Sequence, residues 1–186
     1  VLWQTPEPET GSVFFEVGGQ VQQTPWELEP STEHEALMLG IPSLTDVPFI
    51  LVSGQDEAPV CSSGWLTQTG GIPASLPELE LESSTDSAML GGYIATPAIT
   101  TGQSFLTLID SQGQYVWALR HDALVWRMRM GLDGQSVLFN ESADASNEAA
   151  PIFRVGLDGS SIETVQIPGA HRDFVELPDG NIATFI

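Results

Sequence analysis

Four short turns in the second half of the chain carry glycine at nearly even intervals: Asp110-Ser-Gln-Gly113, Asp133-Gly134, Asp158-Gly159 and Pro178-Asp179-Gly180. Successive glycines lie 21, 25 and 21 residues apart, so Gly113 to Gly159 and Gly134 to Gly180 are both separated by 46. Each turn sits between two short apolar or alternating runs, the pattern of a β-hairpin. Two hairpins per 46 residues make four strands per unit. That is the size of one β-propeller blade, a four-stranded antiparallel sheet set radially about a central channel. A plain β-sandwich with evenly spaced hairpins is the alternative. The Asp-Gly pairs predict two-residue type I′ turns, which need positive φ at both central positions. On this reading hairpins 104–119 and 125–140 form one sheet, and 151–167 and 172–186 the next.

The same punctuation runs through the whole chain, with 18 Gly and 13 Pro in 186 residues. Helical periodicity is hard to find, and so many prolines argue against long buried helices. The fold class expected is therefore all-β. Predicted strands are Ser12–Val17, Glu35–Leu39, Pro48–Ser53, Tyr93–Thr96, Ser104–Asp110, Gln114–Leu119, Val125–Met130, Ser136–Asn140, Pro151–Val155, Ile162–Ile167, Arg172–Leu177 and Asn181–Ile186. The first 60 residues lack the 46-residue period and read as a small sandwich-like module. Residues 61–90, with Gly70-Gly-Ile-Pro-Ala-Ser-Leu-Pro at their centre, read as a linker or edge segment, and 91–186 hold about two blades of an incomplete propeller.

Charge narrows the partners. The chain has 25 Asp and Glu against 5 Arg and no Lys, a formal net charge of -20. Residues 1–119 hold 15 acids and no fixed cation. Duplex nucleic acid is excluded as a partner, because phosphate binding runs on clustered Lys and Arg, and an anionic membrane surface is disfavoured by the same repulsion. No apolar run approaches the ~20 residues needed to span a bilayer. With 41% apolar residues, five Trp and eight Phe, the chain has the means to bury a core. It opens on Val1 rather than Met, as a chain does after a leader has been removed. Cys61 has no partner for an intramolecular disulfide and is expected as a buried thiol.

Two stretches resemble the arylsulfotransferase family of secreted bacterial β-propellers. They are Thr69-Gly-Gly-Ile-Pro-Ala-Ser-Leu-Pro-Glu-Leu and Pro168-Gly-Ala-His-Arg-Asp-Phe-Val-Glu-Leu-Pro-Asp-Gly-Asn. Asp110-Ser-Gln-Gly-Gln-Tyr-Val-Trp117 is similar to that family's first-blade hairpin, and the opening stretch to the fibronectin-type-III-like module that can precede such propellers. There Gly40-Ile-Pro-Ser-Leu-Thr-Asp-Val47 stands where that fold carries a tyrosine corner, with Val in place of Tyr. The resemblance implies transfer of a sulfuryl group from an aryl sulfate to a phenol without PAPS, through a sulfated histidine, with no cofactor and no metal. Such chemistry asks for a neutral imidazole nucleophile, His or Arg groups on the sulfate oxygens, and partial exclusion of water.

By the same resemblance His171 takes the first place of the family's paired His, as a substrate or sulfate contact, while the sulfated His itself is expected further along. Arg172 replaces the second His, and Asp173 and Phe174 match the rest; Arg172 and Asp173 are the binding residues beside His171. A polar strand-entry residue bonded to a backbone carbonyl is the alternative for His171. His121 is expected in a loop and His34 on the surface. Arg127 and Arg129 alternate with Trp126, Met128 and Met130, predicting an apolar face and an Arg face that pairs with local acids; an anion site is the alternative. The acidic loop Glu141–Glu148 lacks the spacing of an EF-hand and is expected to be solvated. Asn140-Glu-Ser is a glycosylation sequon.

Propellers have four to eight blades, so two periods of 46 cannot close a ring. The partners expected are the remainder of the propeller or another protein subunit, with an edge offered at Asn181–Ile186. The competing function is a non-catalytic extracellular structural or binding module that assembles with other chains. Either reading places the protein in a secreted, periplasmic or cell-surface setting.

Overall fold

Short strands whose inward residues are Val, Phe, Ile and Leu, closed by Gly, Asp or Pro, dominate the chain. The computed structural model describes residues 1–54, 59–80, 82, 92–141, 151–159, 162–167 and 173–184. Among them every regular element is a β-strand and every pairing is antiparallel. No helix among them is long and apolar enough to cross a membrane. The chain divides into two compact units, Val1–Gly71 and Ile72–Ile186.

In the first unit β1 (Leu2–Glu9) pairs with β4 (Ser31–Glu35). A second sheet runs β3 (Gln20–Gln23), β2 (Gly11–Val17), β5 (Asp46–Ser53), with β6 (Val60–Cys61) and β7 (Trp65–Gln68) both on the far side of β5. The predicted linker thus supplies an edge strand. Val13, Phe15, Ile41, Val47 and Val52 are buried, and Val17, Met38 and Phe49 pack on Phe15, Ile41 and Val47. Each such burial is worth about 1.5–3 kcal/mol.

His34 belongs to this interior, not to the surface as its Glu33-His-Glu35 setting suggests. Its side chain is 0% exposed, its Nδ1 lies 2.6 Å from Glu27 Oε2 and its Nε2 2.9 Å from Thr5 Oγ1. The Trp3 indole stacks on the imidazole with centroids 4.8 Å apart. Glu27 Oε2 also accepts the Gly11 amide at 2.9 Å, and a Cβ at Gly11 would run into the Trp3 ring. Cys61, expected in the core, is exposed, because β6 is a two-residue edge strand.

In the second unit β8 (Ile94–Thr100), β9 (Gln103–Ile109) and β10 (Tyr115–His121) form a three-stranded sheet with β9 central. Next, β11 (Val125–Met130), β12 (Ser136–Glu141), β13 (Ile152–Gly156) and β14 (Ile162–Val165) form a four-stranded meander. Finally, β15 (Phe174–Glu176) and β16 (Ile182–Thr184) make a two-stranded sheet. Phe105, Tyr115 and Leu76 form one buried cluster; Leu138, Ile152 and Phe174 form another, which joins the four-stranded sheet to the two-stranded one.

These pairings correct the predicted grouping. Hairpin 125–140 pairs with the strand at 152–156, not with hairpin 104–119. Gly113 joins the second and third strands of its sheet, whereas Gly159 joins the third and fourth of the next, so their 46-residue separation links non-equivalent turns. Gly134 and Gly180 both join first and second strands, and there the repeat holds. The turns also differ from the two-residue type I′ form. Gly134 and Gly180 have φ of 65° and 82°, but neither Asp133 nor Asp179 has positive φ. Instead the glycine amide closes back on residue i−3, Gly134 on Gly131 at 3.0 Å and Gly180 on Leu177 at 2.9 Å. The Asp carboxylate caps the turn from inside: Asp133 Oδ1 accepts the amides of Gln135 and Ser136, and Asp179 Oδ1 that of Asn181. No sheet closes into a barrel or a ring among the described residues.

Candidate functional site

The first strands of the three sheets in the second unit come together. β8 through Ala95, Thr96 and Pro97, β11 through Arg127 to Met130, and β15 through Phe174, Val175 and Glu176 line one cavity of about 480 Å³, with Leu132 and Leu138 completing its wall. That volume is in the range of small-molecule sites.

The arginines reach this cavity because of a bulge in β11. Register with β12 slips between Val125 and Arg127, so Val125 and Met128 are both buried while Arg127 and Arg129 share the opposite side. Asn140 fixes the bulge, accepting the Arg127 amide on Oδ1 at 3.0 Å. This residue is 3% exposed, which removes the sequon as a glycan acceptor in the folded chain. Arg129 Nη2 donates to Asp173 Oδ1 at 3.1 Å, and Arg127 Nε lies 3.4 Å from the same oxygen. That oxygen also accepts the Phe174 amide at 2.9 Å. The hydrogen bond from Arg129, helped by the Phe174 amide and both guanidinium charges, outweighs desolvation and holds the Asp173 carboxyl below its ordinary range. Arg129 Nε is buried and has no hydrogen-bond partner among the described residues.

A second ion network forms the neighbouring wall. Arg154 on β13 bonds Glu176 of β15, donates to Ser136 Oγ at 3.0 Å and lies 3.4 Å from Asp133 Oδ2 and 3.8 Å from Glu163. Glu176 accepts the Leu132 amide at 2.8 Å on its other oxygen. Its carboxyl is held low, first by Arg154 and then by that amide. Two arginines therefore line the cavity, and a third, Arg154, is bonded to Glu176 of its wall.

Of the residues singled out from the sequence, Asp173 is here, paired with the Arg face as one reading of β11 expected. His171 and Arg172 lie outside the described residues, as does the acidic loop after Glu141. His121 is the last residue of β10 rather than a loop residue. Its Nε2 lies 2.9 Å from Glu141 Oε1, and its ring meets Phe139 edge-on with centroids 4.9 Å apart. Among the described residues no group of three His, Cys, Asp or Glu side chains is placed to hold a metal ion.

Sequence reasoning missed Arg154 and Glu176, and it did not pair Asp173 with Arg127. The signal was present: adding 46 to Arg127 gives Asp173, to Met128 gives Phe174 and to Met130 gives Glu176. Met128 and Phe174 are both buried, 4% and 3% exposed, as equivalent positions of a repeat should be. Compared with protein-family models, curated proteins and solved structures, the chain has no match.

Proposed function

We propose that the second unit is part of a β-propeller of the arylsulfotransferase type, and that the cavity at its first strands receives the sulfate group in a PAPS-independent transfer from an aryl sulfate to a phenol. The observation that carries this reading is the meeting of the first strands of three successive sheets around one cavity with two guanidinium groups at its side. Radial sheets bring their innermost strands together in this way. Guanidinium is the side chain whose planar donors suit sulfate oxygens. An apolar wall from Pro97, Met128, Leu138 and Phe174 suits an aromatic ring.

His171 and Arg172 stand just before Asp173 in sequence and act on the same anion in this reading, with the first unit a fibronectin-type-III-like module and the protein secreted or at the cell surface. The test is transfer from p-nitrophenyl sulfate to a phenol acceptor, followed by release of p-nitrophenol. Activity that falls at least tenfold in His171→Ala, with folding intact by circular dichroism, supports the reading. No turnover with several aryl sulfates, or full activity in the variant, overturns it.

A non-catalytic binding module is favoured by a different observation: the edge strands β6 and β7 carry no charge and expose Val60, Trp65 and Leu66. Unprotected edges of this kind recruit strands from other chains.

A further inference from the structure

The arginine pair already holds an anion, and it holds it by one oxygen. Both guanidinium groups and the Phe174 amide converge on a single oxygen of Asp173, so neither arginine makes the two-point fork that a carboxylate can accept. Arg129 keeps a buried Nε with no acceptor among the described residues. A buried donor left in this way is costly unless something accepts from it. The carboxylate is 46% exposed, so it can turn into solvent at the cost of its arginine and Phe174 amide contacts alone. Beside it lies the cavity, open to a body larger than a water molecule.

From these contacts we infer that Asp173 is an internal competitor: its carboxylate occupies the Arg127 and Arg129 pair until a tetrahedral oxyanion, a sulfate ester or free sulfate, displaces it. Three or four oxygens arranged in a tetrahedron can accept from both guanidinium planes and from Arg129 Nε at once, which one carboxylate oxygen cannot. Asp173 therefore sets a threshold. Chloride and simple carboxylates bring no more charge than the covalently held Asp173 and pay the cost of association as well, whereas a sulfate group adds acceptor oxygens for both guanidinium groups. The inference rests on the cavity being an anion site, and it concerns what regulates that site rather than whether transfer occurs there.

The test is titration of the full chain with sodium sulfate at constant ionic strength, by calorimetry, for wild type, Asp173→Asn and Asp173→Ser. Asparagine keeps the shape and removes the charge, raising the pair from net +1 to net +2. Sulfate should then bind about tenfold more tightly in both variants, and acetate should bind measurably in them but not in the wild type. Adding Arg129→Gln should abolish the gain. In the wild type, the Arg129 Nε–H resonance should shift on saturation with sulfate, a reading that does not depend on any variant folding. Unchanged or weaker sulfate binding in both variants overturns the inference and makes Asp173 a positioning residue for the arginines. A wild-type resonance that never moves overturns it too. If sulfate binding tightens as described but no aryl sulfate is turned over, the competitor stands and the transferase reading falls. If turnover is found and sulfate binding does not tighten, only the competitor falls.

Discussion

The two units of this chain solve the same problem with opposite chemistry. Each must join small sheets that cannot bury enough surface singly. Val1–Gly71 contains ten acids and no Arg or Lys, and it joins its sheets through an uncommon polar insertion: an imidazole fully enclosed between Thr5 and Glu27, with an indole stacked on it. Ile72–Ile186 contains all five arginines and adds guanidinium bridges between its four- and two-stranded sheets, half-exposed at Arg129–Asp173 and largely buried at Arg154–Glu176. The difference is one of exposure. An enclosed hydrogen-bonded group is costly to break because whatever remains is buried without a partner, whereas a half-exposed pair can be replaced by water.

That contrast gives an order of effects. The largest is expected for His34→Ala, which leaves Glu27 and Thr5 without their partner and a void against Trp3. It should destabilise the first unit by about 3 kcal/mol, read from urea unfolding followed by tryptophan fluorescence. A loss under 1 kcal/mol would show that the enclosed site is replaceable after all.

Next comes Glu176→Gln. Glu176 is only 10% exposed at its side chain and serves both Arg154 and the Leu132 amide, so its loss should cost about 2 kcal/mol. The same denaturant experiment, followed through a probe in the second unit, checks it.

A smaller and graded effect is expected from acid. The carboxyls of Asp133, Asp173 and Glu176 are all held below their ordinary values. For Asp133 burial pushes upward, and the amides of Gln135 and Ser136, the Ser136 hydroxyl and Arg154 together outweigh it. A lowered folded-state value means that the unfolded chain takes up protons first as pH falls. The stabilisation is present above the ordinary carboxylate range and is lost as pH drops from about 4 through the lowered values. Melting temperature of the second unit should therefore decline below about pH 4, and a flat profile down to pH 2.5 would contradict the assigned bridges.

The smallest effect is expected at the turns. Gly180 has φ of 82° with no atom within 4 Å of where a Cβ would stand, so Gly180→Ala meets strain alone, about 1 kcal/mol.

What the sequence disclosed divides along the same line. Strands of the second unit were legible because inward Val, Leu and Phe alternate between Gly-bearing turns; Val125–Met130 is found with the predicted ends. In the first unit the predicted Ser12–Val17 and Pro48–Ser53 are found as β2 and β5, but β1 and β4 were hidden. β1 contains Pro6 and Pro8, which a sheet tolerates only at an edge, and its register with β4 slips between Gln4 and Glu9. β4 reads Ser-Thr-Glu-His-Glu, and its one buried residue is a histidine. No hydrophobic pattern marks such a strand, so the prediction started at Glu35, where the strand ends. The cavity was half legible. The 46-residue offset between Arg127 and Asp173 was in the sequence, but an offset reports equivalence, not contact. Contact required that consecutive first strands lie side by side, which no local pattern encodes. The bulge at Trp126, which sets the side of the sheet that Arg127 and Arg129 share, left no trace either.

Cys61 brings a practical consequence. One sulfhydryl per molecule, exposed on a strand paired with β5 at only Val52 and Ser53, is a stoichiometric attachment point for a maleimide dye. A dye there would sense the peeling of that short strand well before the cooperative loss of the core behind it. It would turn this short seam of the first unit into a gauge of how far the rest has loosened.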